Sequence, residues 1–303
     1  MNYRILGSTD LRFSVVGFGC SHLGTLLNDP KRSEALIQNS VEIGINFFDT
    51  ADSYGSGSSE IVLGRSLRRI RSKVVIATKI GYPVGMTGKL LMKCGKPWNY
   101  EYQNFKSNYL RQGVERSLRR LGIERIDLLQ LHNPPTSIAQ KEEIFDTLEE
   151  LQRSGKIGYY GISVKNLGDA YDFSKIHGIS SLQLPINIFN VKEAFVFLKK
   201  RASASLGIIS RQPFSSGKIF DIDNLFNAEH LSYIDKELVQ LLREKRINIA
   251  EFSLVVLTND RSITSVLIGS LNSNHIRHNI EIIESGNYNP LFNQNLQIES
   301  PTI

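Results

Sequence analysis

No run of eighteen apolar residues interrupts this sequence, so nothing in it reads as a membrane-spanning helix. The opening stretch MNYRILGSTDLRF lacks the apolar core of a secretory leader. Cysteine is scarce. Cys20 and Cys94 offer neither a disulfide framework nor metal-ligand spacing, and a reducing, cytoplasmic setting is expected, with no metal. Neither sign of charge dominates: 36 Lys and Arg against 30 Asp and Glu leave a formal net charge of +6. The densest basic cluster, RSLRRIRSK from Arg65 to Lys73, falls on an expected helix and its exit, where such charges face solvent. No interleaved aromatics or reader motif accompany it, so no nucleic-acid or membrane partner is expected. The mild positive field would still attract an anionic dinucleotide or substrate. Phosphate-loop, HExxH and GxSxG motifs are absent too. Gly17-Phe18-Gly19 begins like a dinucleotide fingerprint, but His22 stands where the third glycine belongs and no helix follows at once.

What is present is a rhythm. YRILGSTDLRFS reads as a short hairpin, and apolar strand-like runs then alternate with amphipathic helical ones. VVGF (15–18) precedes a helix capped by Asp29 with Pro30 at its first position. INFFD (45–49) precedes a helix from Ser58 or Ser59, with Ile61, Leu63 and Leu67 as its expected apolar side. KVVIATK (73–79) leads to a helix carrying Leu110, Val114, Leu118 and Leu121. IDLLQL (126–131) leads to one carrying Ile144, Phe145, Leu148 and Leu151, stopped by Gly155. GYYGIS (158–163), SLQLP (181–185), GIISR (207–211) and TSVLIG (264–269) complete eight strand candidates. Runs apolar on both faces belong to a helix-covered parallel sheet, and eight without a break argue for a closed (β/α)8, or TIM, barrel. No linker or low-complexity tract divides 1–303, so a single domain is expected. Two long loops, 81–105 and 212–231, fall where strands exit and are expected to wall a substrate pocket.

Strand ends of such a barrel carry its chemistry. Asp49, Lys79 and His132 each close a strand candidate, and Tyr54 follows Asp49 by five residues. Each alone is ordinary, as a cap, a solvated terminus or a loop histidine. Together they form an array for protonating a carbonyl oxygen. A phenol ordinarily ionises near pH 10, and a neighbouring ammonium favours its anion. The carboxylate would hold the ammonium charged, and the imidazole would align the carbonyl. No side chain here delivers hydride, so a cofactor is required.

INFFDTADSYGSGSSEIVLG, VVIATKIG, NYLRQGVERSLRRLGIERIDLLQLHNP and VLIGSLNSNHIRHN together resemble the aldo-keto reductase superfamily, from about Tyr3 to Ile283. The resemblance implies a (β/α)8 barrel whose catalytic tetrad is Asp49, Tyr54, Lys79 and His132, with Tyr54 as proton donor. It implies that Ser163 and Gln183 bond the nicotinamide carboxamide, with Asn187 in the same segment, although Val164 replaces the family's asparagine. Arg211 stands where many members place an aromatic ring against the nicotinamide. Pro213, Phe214, Ser215 and Gly217 resemble the loop around the pyrophosphate, and Gly269, Leu271, His275, His278 and Asn279 the adenosine segment. Cys20 and Ser21 fall in a segment that lines the site. NADPH is the expected cofactor, with NADH the alternative, because His275 replaces the basic side chain that many relatives offer a 2′-phosphate. His22 and Trp98 are expected to join Tyr54 and His132 at the substrate. The expected activity is interconversion of an aldehyde, ketone or sugar carbonyl with its alcohol. The alternative implied by the same superfamily is a redox-sensing, dinucleotide-binding subunit like the β-subunits of voltage-gated potassium channels. A non-redox barrel lyase or isomerase has no metal cluster to support it.

Overall fold

The computed structural model describes residues 1–85, 102–200, 205–220 and 236–286. Strands β1 (Tyr3–Ile5) and β2 (Arg12–Ser14) pair antiparallel, with Tyr3 opposite Ser14. Gly7 turns this hairpin at φ 53°, and a Cβ there would meet the Ser205 carbonyl oxygen at 2.1 Å, so only glycine fits.

Eight parallel strands then close a barrel. They are β3 (Val16–Gly19), β4 (Phe47–Asp49), β5 (Val75–Ile80), β6 (Ile126–His132), β7 (Ile157–Ser163), β8 (Ser181–Pro185), β9 (Gly207–Arg211) and β10 (Ser265–Ile268), with β10 joining β9 to β3. Strand neighbours in space are neighbours in sequence, as right-handed strand–helix–strand units produce.

The helices cover the outside. Asp29 caps α1 (Pro30–Glu42), accepting from the Arg32 amide at 3.1 Å. In α2 (Ser58–Leu67) the buried apolar residues are Val62, Leu63 and Leu67, while Ile61 is exposed, contrary to the sequence expectation. Ile61 and Leu63 lie two residues apart and so about 200° around the helix; they cannot share one face. Leu110, Val114, Leu118 and Leu121 line the inner side of α3 (Ser107–Leu121), which Gly122 ends in the left-handed conformation. Ile144, Leu148 and Leu151 of α4 (Glu142–Arg153) are buried, with Phe145 half-buried, and Gly155 follows at φ 75°. A short α5 (Ala170–Phe173), then α6 (Val191–Lys200), α7 (Lys236–Glu244), α8 (Ile249–Asn259) and α9 (Ser273–Ser285), complete the ring among the described residues. None of these helices is long and apolar enough to cross a membrane.

The interior of the barrel is a separate apolar cluster. Leu6 and Phe13 of the hairpin segment pack against Phe47, Ala77, Leu128, Ile209 and Leu267. The hairpin therefore plugs the N-terminal end of the barrel. Its opposite end, where the strands exit, is left to polar side chains.

Candidate active site

Side chains two residues apart on a strand point the same way. One step beyond the plug residues Phe47, Ala77 and Leu128, the inward positions are Asp49, Lys79 and Gln130. Register ties these levels across strands: Lys79 pairs with Gln130, His132 with Ser163, Ser163 with Gln183, and Pro185 with Arg211. The barrel thus delivers groups far apart in sequence to one mouth.

Lys79 is fully buried and donates to Asp49 Oδ2 at 2.5 Å, to the Thr50 carbonyl at 2.9 Å and to the Tyr54 hydroxyl at 3.3 Å. Burial works against its charge, but the neighbouring Asp49, and then Tyr54, outweigh it and its pKa is raised. Lys79 therefore stays an ammonium. The other Asp49 oxygen, Oδ1, accepts from Gln183 Nε2 at 2.8 Å and Gln130 Nε2 at 3.2 Å. These donors fix the carboxylate so that one oxygen always faces Lys79. Sequence reasoning passed over Gln130; its only signal was a polar residue two positions before His132 inside an apolar strand.

The His132 ring meets Tyr54 edge-on, with centroids 5.8 Å apart, and its Nδ1 lies 3.4 Å from Ser53 Oγ. A second ring, Tyr82, meets His132 edge-on at 4.9 Å. Tyr82 was singled out by no motif, only by its place at the start of the first long loop. Burial, then the charges of Lys79 and Arg211, push the His132 imidazole well below its ordinary value of 6.5. Its neutral form is what the mouth contains. Arg211 reaches across the end of β8 to donate from Nη2 to the Val164 carbonyl at 2.8 Å.

The positions assigned to a cofactor lie around the same mouth and along one side of it. Ser163 Oγ donates to Gln183 Oε1 at 3.2 Å. Both oxygens keep lone pairs for a further amide donor. Asn187 serves its own turn, accepting from the Phe189 amide at 3.1 Å. After Pro213 and Phe214 the chain runs left-handed through Ser215, Ser216 and Gly217, with exposed Lys218 next. The turn gathers the Ser215 and Ser216 hydroxyls and the Lys218 cation, while the Ser215 and Gly217 amides donate within it to the Gln212 and Phe214 carbonyls at 2.8 and 2.9 Å. The side chain of Ser253 anchors it by donating to the Pro213 carbonyl at 2.8 Å.

Gly269, Leu271 and His275 form the exit of β10 and first turn of α9, with His278 and Asn279 one turn on. His275 is exposed beside Ser270, and His278 Nε2 lies 3.3 Å from Glu251. Exposed Arg277, unnoticed in the sequence, adds a cation to this turn. Cys20 behaves differently. Its thiol is buried against the Phe18 carbonyl and its amide donates to the Asp49 carbonyl, so it offers the site backbone rather than sulfur. Ser21 and His22 are exposed and bonded to each other at 3.0 Å. Trp98, with most of the first long loop and part of the second, lies outside the described residues.

A profile of the Aldo/keto reductase family matches residues 15–295. The chain belongs to that family. It is an aldo/keto reductase and hence an oxidoreductase, of a family that typically uses NAD(P)H. Over 297 residues it is 28% identical to the uncharacterised oxidoreductase YqkF of Bacillus subtilis, covering 93% of this chain and 90% of the relative. It is 26% identical to L-galactose dehydrogenase of Arabidopsis thaliana, covering 92% of this chain and 87% of that one. Among solved structures, the aldo-keto reductase AKR11C1 from Bacillus halodurans in its holo form superposes with a TM-score of 0.75 at 27% identity, covering 94% and 91% of the two chains. In this aldo/keto reductase the barrel and the N-terminal hairpin are those that the sequence rhythm led one to expect, and the hairpin's place as a plug is what the structure adds.

Proposed function

We propose that this aldo/keto reductase reduces an aldehyde, ketone or sugar carbonyl to the alcohol with NADPH, Tyr54 supplying the proton. The observation that carries this reading is the Tyr54 hydroxyl on the Lys79 ammonium at 3.3 Å, with His132 against the same ring. A phenol bonded to a fixed cation can release its proton to an oxygen that is gaining charge, because the cation stabilises the phenolate left behind. Asp49, held by Gln130 and Gln183, keeps that cation in place. Neutral His132 offers a ring N–H that orients the carbonyl without competing as an acid. A bound nicotinamide dinucleotide supplies the hydride.

For holding it, the reading assigns Ser163 and Gln183 to the carboxamide, Arg211 to the ring, Pro213, Phe214, Ser215 and Gly217 to the pyrophosphate, and the α9 segment to the adenosine. The likeness to an L-galactose dehydrogenase supports a hydroxylated, sugar-like substrate.

Tyr54→Phe tests the reading. Loss of general acid catalysis lowers kcat by about 10²–10⁴-fold, while NADPH still binds, as titrated through protein fluorescence. Retained turnover refutes the proton donor. A second outcome concerns pH. Because His132 is already neutral, kcat/KM for reduction shows no inflection near 6.5, and one there that vanishes in His132→Gln would show the ring titrating.

A further inference from the structure

Arg211 closes β9, and its guanidinium lies across the mouth toward the end of β7, where Nη2 is bonded to the Val164 and Lys165 carbonyls. Its Nε is buried with no hydrogen-bond partner. Among the described residues no carboxylate lies within ion-pair distance of it. The other charges nearby cancel: Lys79 is paired with Asp49, and Glu60, on the wall behind, with Arg120. His132 is neutral. One positive charge, on a half-buried guanidinium, therefore stands at the mouth without a carboxylate of its own.

Resting on the dinucleotide-dependent reading above, the identity of the missing balance follows from the chemistry. Reduction adds a hydride to the carbonyl carbon and a proton from Tyr54 to its oxygen, and leaves one positive charge on the ring that gave the hydride. A carbonyl held by Tyr54 and His132 requires that ring to lie in contact with it, inside the same mouth. The ring is neutral when reduced and cationic when oxidised. We propose that Arg211 selects the redox state of the bound dinucleotide, repelling the oxidised ring so that the site loads NADPH and discharges NADP+ after each reduction. Two unit charges several ångströms apart in a partly buried site interact strongly enough to change affinity about tenfold.

The test is equilibrium binding of NADPH and NADP+ to the whole protein by titration calorimetry, without substrate, in the wild type, Arg211→Gln, Arg211→Met and Arg211→Lys. The ratio Kd(NADP+)/Kd(NADPH) is expected to fall about tenfold in the two neutral variants, and to stay at the wild-type value in Arg211→Lys, which keeps the charge. Two neutral replacements guard against one that does not fold. An unchanged ratio in the folded neutral variants overturns the proposal, and so does an equal fall in Arg211→Lys, which would mark a contact rather than a charge. If wild type binds neither nucleotide, the dinucleotide reading itself fails; if it binds both and the ratio ignores the charge, only this inference fails.

Discussion

The floor and the mouth of the barrel are built from the same strands, two residues apart, and they are held together by opposite means. On the floor, Phe13 stacks on Phe47 with ring centroids 3.9 Å apart, and Leu128, Ile209 and Leu267 close around them. Their stabilisation is apolar area removed from water, which needs no partner of a particular kind. At the mouth, Asp49, Lys79, Gln130, His132 and Gln183 are just as buried. Each would be costly there alone and persists because neighbours pair with it, Gln130 through its Nε2 although its Oε1 has no partner. The floor tolerates imprecision and gives stability, whereas the mouth depends on specific partners around Asp49 and Lys79 and gives chemistry.

If that division is real, substitutions in the two layers should separate two observables. Phe13→Ala removes the plug and is expected to cost about 3–5 kcal/mol of stability, read from the denaturation midpoint, with kcat of the folded protein unchanged. A collapse of kcat in that variant would mean that the layers are not independent. Gln130→Leu should do the reverse. It removes one donor from Asp49, a charge-assisted hydrogen bond of about 1.5 kcal/mol, and so lowers kcat/KM about tenfold. Gln130→Glu should be worse than leucine, because it sets a second carboxylate against Asp49. Equal losses in the two would show that Gln130 only fills space.

The same comparison explains what could be read beforehand. Strand rhythm was legible because helix-covered strands are apolar on both faces, and the barrel followed from eight of them. Asp49, Lys79 and His132 were legible because polar residues ending apolar strands are conspicuous. That uniform apolarity also hid which side faced inward, so nothing in IDLLQLH separated Leu128 and Gln130 inside from Leu129 and Leu131 outside. The Ile61 assignment failed for a related reason: α2 mixes small polar and apolar residues, and its buried side includes Ser59, Glu60 and Ser66. Glu60 is inside because Thr78 and Arg120 satisfy it at 2.6 Å each, partners 18 and 60 residues away. No local pattern reports such a partner. Tyr82 and the unpaired state of Arg211 are likewise properties of assembled strand ends, not of spacing.

Asp52 sharpens the contrast at its smallest scale. It lies three residues beyond Asp49 and is equally buried, yet neither of its carboxyl oxygens has a hydrogen-bond partner. Burial first, then the charge of Glu60, push its pKa well above 3.8, while Arg120 and Arg116 pull the other way. Tyr109, packed nearby, is pushed up to about 12 by burial and by Asp52. In the unfolded chain this carboxyl ionises above its ordinary 3.8, whereas in the fold it keeps its proton to higher pH. The unfolded state therefore binds fewer protons across that window, and stability declines as pH rises through it. Asp52→Asn keeps the shape and removes the titration. Its stability relative to wild type should be near zero at pH 4 and should grow, by on the order of 1 kcal/mol, toward pH 8, as read from paired thermal unfolding curves. A gap that does not widen with pH would mean that Asp52 is ionised in the fold as readily as outside it, and that proximity to the network at Asp49 matters more than membership in it.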